Sequence, residues 1–164
     1  MKAYLANGLF SLGDRMVNEE IASQVRIRIP GLELYVPQEN NSINNKSNYA
    51  SSLEIEQADT EKLLESDVLI AVIDGAEIDS GVAAEIGVFS TTGRPIYALY
   101  TDVRQQGSNN QSKVSALVND TTENQFFYRN LYVIGLIKKN GTIHPTIRGL
   151  VSKLIADLYS KGKY

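Results

Sequence analysis

The chain has 164 residues, 43% of them hydrophobic and 21% charged. That fits one soluble domain over residues 1–164, able to bury roughly 70% of the surface of its unfolded chain. A net charge of −3, no dense basic patch and nine scattered tyrosines argue against nucleic-acid binding. The chain has no Cys, which excludes disulfides, thiolate chemistry and Cys-based zinc sites and fits a cytoplasmic protein.

The N-terminus, MKAYLANGLF, lacks the apolar core of a signal peptide. KAYLA (2–6) reads as a first strand. GDRMVNEEIASQVRI (13–27) places Met16, Val17, Ile21 and Val25 at helical spacing, and Pro30 and Gly31 end it. LELYVP (32–37) reads as a second strand. SLEIEQADTEKLLESD is an acidic helix that would ordinarily be a solvated face. Asp67 to Asp74, containing VLIAVI, predicts a third strand buried on both faces. Its apolar run, Val68 to Ile73, is six residues long, against roughly 20 needed to cross a bilayer, so no membrane association is expected. A helix starts at Asp79-Ser80-Gly81 and runs to Gly93, followed by a fourth strand, PIYALY (95–100). Two further helices are expected over Glu123–Ile137 and Thr146–Tyr159. Strand and helix in alternation predict an α/β three-layer sandwich: a mainly parallel, flavodoxin- or Rossmann-like sheet flanked by helices. Two long polar stretches, 38–52 and 101–113, follow strand C-terminal ends. In an open α/β sheet that edge binds ligands, so the two stretches read equally as ligand-binding loops or as merely mobile ones.

DSGVAAEIG (79–87) is the stretch most suggestive of chemistry. Helical position alone makes Glu85 an exposed acid. The small residues Gly81, Ala83, Ala84 and Gly87 would instead let a ligand approach, and the helix N-terminal field would favour the ionised carboxylate. Such a carboxylate can attack a sugar anomeric carbon. Asp79 suits an N-cap as well as it suits a sugar hydroxyl. Tyr4 is core, or it points its hydroxyl at Glu85 if the first strand is central. ANGLF (6–10) holds Gly8 but is not a GxGxxG dinucleotide turn, and no P-loop pattern is present. His144, the lone histidine, precedes Pro145 and reads as a turn residue. No GxSxG elbow accompanies it, and one His with scattered acids makes no metal site.

In order along the chain, KAYLANGLF, YVPQENN, ADTEKLLESDVLIAVIDG, DSGVAAEIGVF and RNLYVIGLI resemble the nucleoside 2-deoxyribosyltransferase family. The resemblance covers most of the chain, and DSGVAAEIG is its most specific part. It implies that Glu85 is the nucleophile, forming a deoxyribosyl ester that a second base resolves with net retention. Tyr4 would orient Glu85, and Asp59 would contact the base and help protonate it. Asp79 and Asn130 would hold sugar hydroxyls, Phe10 would pack on the base, Asn41 would reach its edge, and Gly8 would border the substrate. It further implies 2-deoxyribonucleosides and free nucleobases as partners, no metal or organic cofactor, and a homo-oligomer that shares residues around Asn130 between sites. The sequence departs from the family at ANGLF, where many relatives have a Gly directly after the first strand, and at LYVI after Asn130, where relatives often carry LM. Tyr164 stands where some relatives place a C-terminal tyrosine in the site.

Two rivals remain. A related group hydrolyses 2-deoxynucleoside 5′-monophosphates with the same Glu but tends to carry Ser at the position of Asp79, where an Asp would repel a 5′-phosphate. The other is an inactive nucleotide-binding module, against which the intact set Tyr4, Asp59, Asp79, Glu85 and Asn130 argues.

Overall fold

The computed structural model describes residues 1–45, 47 and 49–160, so Tyr164 lies outside the described residues. Five strands form one sheet: β1 (Lys2–Ala6), β2 (Glu33–Tyr35), β3 (Val68–Val72), β4 (Ile96–Leu99) and β5 (Gly141–His144). Their order is β2-β1-β3-β4-β5 and every pairing is parallel. The helices are α1 (Leu12–Arg28), α2 (Asn41–Asn44), α3 (Ser52–Glu65), α4 (Ser80–Ser90), α5 (Gln111–Asn119), α6 (Leu131–Asn140) and α7 (Ile147–Ser160).

Alternation along each strand sorts the core into two layers. Ala3, Leu5, Val68, Ile70, Val72, Tyr97 and Leu99 face α1 and α7, which contribute Ile21, Val25, Leu150, Val151 and Leu154. Tyr4, Ala6, Leu69, Ala71, Ile96 and Ala98 face the other side, packed by Leu63 of α3, Val82, Ile86 and Phe89 of α4, and Val133 and Ile137 of α6. From β1 the chain runs to β2 on one side and then crosses back over β1 to β3 on the other. The switch point of the sheet therefore lies between β1 and β3, where open α/β sheets bind ligands.

Four sequence expectations shift. The helix expected over Glu123–Ile137 is instead a 3-10 turn (Thr121–Glu123), a non-helical stretch, and then α6. The aromatics of that stretch are held by cations rather than by a helix: Lys113 Nζ lies 4.1 Å from the Phe126 ring centre, and the Arg104 guanidinium 3.9 Å from that of Phe127. Asn130 then starts α6 by accepting from the Tyr132 and Val133 amides at 3.0 and 3.3 Å. GTIH, which carries little strand signal, forms β5, and His144 ends that strand with a ring nitrogen 2.8 Å from Thr142 Oγ1. Glycine is required at 141, because a Cβ there would lie 1.7 Å from the Ile96 carbonyl oxygen across the ladder. The stretch 38–52 opens in a 3-10 turn that begins one residue earlier (Pro37–Glu39) and holds α2, and 101–113 holds another 3-10 turn (Val103–Gln105) and the start of α5.

Candidate active site

At the switch point, β1 and α4 bring Tyr4 and Glu85 together. Tyr4 is fully buried on an inner strand and turns its ring toward α4. Its hydroxyl donates to Glu85 Oε1 at 2.5 Å. A buried tyrosine hydroxyl needs a partner, and here the partner is the carboxylate itself.

Glu85 is only half-buried by exposure, yet its carboxyl is pushed up from the usual carboxylate range to about 7. Burial is the main cause, and the charges of Asp59 and Asp79 push the same way while the Tyr4 hydrogen bond pulls back down. This differs from the expectation that the helix field keeps the carboxylate ionised. Glu85 sits in the second turn of α4, and the helix field fades within the first. Near neutral pH the group is poised between its two forms, as suits a nucleophile or proton carrier.

Asp79 is exposed and caps α4, with Oδ1 accepting from the Gly81 and Val82 amides at 2.8 and 3.1 Å. One carboxylate oxygen thus fastens the helix start. Gly81 and Ala84 leave the adjoining face of α4 bare and exposed. Asp59, half-buried on α3, lies 3.5 Å from the hydroxyl of Tyr35, and the Tyr35 ring packs on that of Tyr4 with centroids 5.4 Å apart. Three of the residues singled out from the sequence, Tyr4, Glu85 and Asp59, therefore meet through two tyrosines.

The others sit around this centre rather than in it. Asn130 is exposed at the start of α6, the helix packed beside α4. Phe10 is 71% exposed at the end of the β1–α1 turn. Gly8 lies in that turn, where its carbonyl accepts from Asn18 Nδ2 at 3.0 Å and a Cβ would press on the Asp14 carboxyl. Asn41 is exposed at the first position of α2. Among the described residues, no group of three or more His, Asp or Glu side chains is placed to hold a metal ion.

Sequence reasoning missed Tyr35, Asn40 and Arg129. Arg129 is buried between the loops after β3 and β4. It donates to the Gly75 carbonyl at 2.6 Å, lies 3.6 Å from Asp102, and stacks over Tyr100 and Phe127. A lone Arg beside Asn130 offers no sequence signal for this. Tyr35 and Asn40 lie inside YVPQENN, so their place in a recognisable stretch was the available clue.

The model of the nucleoside 2-deoxyribosyltransferase family matches residues 3–130. The chain belongs to that family. The structure is also similar to that of a conserved protein from Enterococcus faecalis V583, with a TM-score of 0.90, 48% identity, and coverage of 96% of this chain and 99% of the other. The 2-desoxiribosyltransferase from Leishmania mexicana shares the fold at TM-score 0.64 and 13% identity, over 94% of this chain and 97% of its own. The 2-deoxyribosyltransferase from Bacillus psychrosaccharolyticus matches at TM-score 0.52 and 22% identity, over 60% of this chain and 72% of its own. No curated protein matches the chain.

Proposed function

We propose that this family member transfers 2-deoxyribose between nucleobases through a covalent ester on Glu85, with retention of configuration. The observation that carries the reading is a poised, half-buried carboxylate held by a buried tyrosine at the switch point. In the first step the ionised Glu85 bonds C1′ as the C1′–N bond breaks through an oxocarbenium-like transition state. Asp59 protonates the departing base. The incoming base then attacks C1′, gives its N–H proton back to the ionised Asp59, and frees the Glu85 carboxylate. Two inversions give retention.

Tyr4 aims one Glu85 oxygen and leaves the other for the sugar. Asp79 and Asn130 present side chains to the sugar hydroxyls, including the 5′-hydroxyl. Phe10 packs on the base, Asn41 reaches its edge, and the turn at Gly8 borders it. Exposed Tyr128, Leu131 and Tyr132, at 66%, 81% and 75%, flank Asn130. We read this apolar patch as the contact through which a second copy completes the site.

The test is incubation with 2′-deoxyinosine and adenine, followed by chromatography. Deoxyadenosine is the expected product. Hypoxanthine released with no transfer product, or cleavage of 2-deoxynucleoside 5′-monophosphates alone, would replace transfer with hydrolysis. No turnover of any of these would leave a binding module.

A further inference from the structure

Asp59 does not stand alone on α3. Tyr35, on β2 in register beside Tyr4, reaches it with its hydroxyl 3.5 Å from Asp59 Oδ1. The same hydroxyl accepts from Asn40 Nδ2 at 2.9 Å. The orientation of the Asn40 amide is determined by its other end, where Oδ1 accepts from the Ser42 amide at 3.2 Å and from the Ser42 hydroxyl at 2.6 Å. A backbone N–H can only donate, so the Asn40 oxygen must face Ser42 and its NH2 must face Tyr35. Tyr35 therefore accepts a hydrogen bond from Asn40 and has its own O–H left to donate to Asp59. Burial and the nearby Asp59 charge raise the Tyr35 pKa, which keeps it a donor. At 3.5 Å the last contact is long, and catalytic hydrogen bonds in ligand-free enzymes often tighten only around substrate.

We propose that Tyr35, locked by Asn40, is a positioning residue that selects which oxygen of Asp59 faces the departing base. The proposal rests on the transfer reading above. A hydroxyl donor on Oδ1 makes that oxygen an acceptor, so a proton that Asp59 passes to the base is carried on Oδ2. During cleavage the C1′–N electron pair goes to the base, Glu85 bonds C1′, and the Oδ2 proton passes to the base nitrogen, leaving Asp59 ionised. Asn40 caps α2, whose first residue is Asn41. The segment expected to read the base edge is thus tied to the acid that protonates the base.

The experiment compares two donors in the unmodified protein and in Tyr35→Phe. 2′-Deoxyinosine needs a proton on its leaving base, whereas 7-methyl-2′-deoxyguanosine releases a neutral base without one. Tyr35→Phe is expected to slow kcat on 2′-deoxyinosine by roughly 10- to 100-fold, the effect of one hydrogen bond to a charged group. Base release from the 7-methyl substrate should stay within about twofold of wild type. Asn40→Ala should show the same asymmetry at smaller amplitude. Equal slowing of both donors, or of neither, would overturn the proposal. A second measurement does not depend on turnover: the carboxyl 13C resonance of Asp59 should move in Tyr35→Phe at fixed pH, and an unmoved resonance also overturns it. If the unmodified protein cleaves neither donor, the transfer reading fails by itself and the resonance still decides the contact.

Discussion

The sheet buries a tyrosine in each of its two faces, and each tyrosine meets a carboxylate. On the α1–α7 face, Tyr97 donates to Asp157 at 2.8 Å, and Asp157 also takes the Lys153 ammonium at 2.7 Å. On the α3–α4–α6 face, Tyr4 donates to Glu85 at 2.5 Å, and the charges that bear on Glu85 are the acids Asp59 and Asp79. The two hydrogen bonds are alike and their electrostatic settings are opposite. A carboxylate beside a cation has its charge compensated, whereas one among acids and apolar walls holds its proton toward neutral pH. Geometry of the pair alone would rank the two sites as equals. On the proposed reading, the surrounding charge is what separates the structural pair from the reactive one.

The sharpest way to break this comparison is to remove the Glu85 carboxylate. Glu85→Ala should lower transfer by on the order of a thousandfold or more, measured as initial rates with 2′-deoxyinosine and adenine. Retention of more than about a few per cent of wild-type activity would take the nucleophile role from Glu85. Its unfolding midpoint should change little, because relief of the buried carboxylate offsets the unpaired Tyr4 hydroxyl. The next largest effect is on stability against pH. Glu85 rises from a usual 4.5 to about 7 on folding, so between those values the native state holds a proton that the unfolded chain has released. Its contribution to stability is therefore present below pH 4.5 and is lost as pH rises through about 7, a fall of about 3 kcal/mol. Glu85→Gln removes the titration. In denaturant melts it should gain that much on wild type between about pH 4.5 and 8, and parallel curves would refute the raised value.

A smaller effect isolates the tyrosine. Tyr4 holds Glu85 toward its ionised form, and the proposed transfer needs that form. In wild type the rate should climb with pH through about 7. In Tyr4→Phe the limb should move to higher pH, with roughly a tenfold loss at pH 7 that narrows as pH increases. A limb left in place would mean that the bond positions Glu85 without tuning it.

What could be read from the sequence follows from where each signal resides. β3 is an unbroken apolar run and α1 an apolar stripe, so both were visible as local patterns. β5 was not, because GTIH owes its strand form to the β4 edge beside it and to a glycine that lets the backbones close. The 124–130 stretch, expected within a helix, is not one, because Phe126 and Phe127 are held by cations of other segments. In the site, small residues around Glu85 signalled ligand access, but the depth of its burial comes from the sheet beneath it. Tyr35 and Asn40 became meaningful only through Asp59, 24 residues along the chain from Tyr35.

The opposite tyrosine supplies the last and smallest prediction. Tyr97 is buried, and its pKa is raised mainly by burial and then by the bond to Asp157. Tyr97→Phe deletes one hydrogen bond while Lys153 still compensates Asp157, so the loss should be about 1 kcal/mol in denaturant melts. Transfer rates and the position of the pH limb should match wild type, because Tyr97 reaches the α1–α7 face and not Glu85. If Tyr97→Phe moved the limb as Tyr4→Phe does, the two faces would be coupled through the sheet, and the contrast between a compensated and an uncompensated carboxylate would no longer explain which pair is reactive.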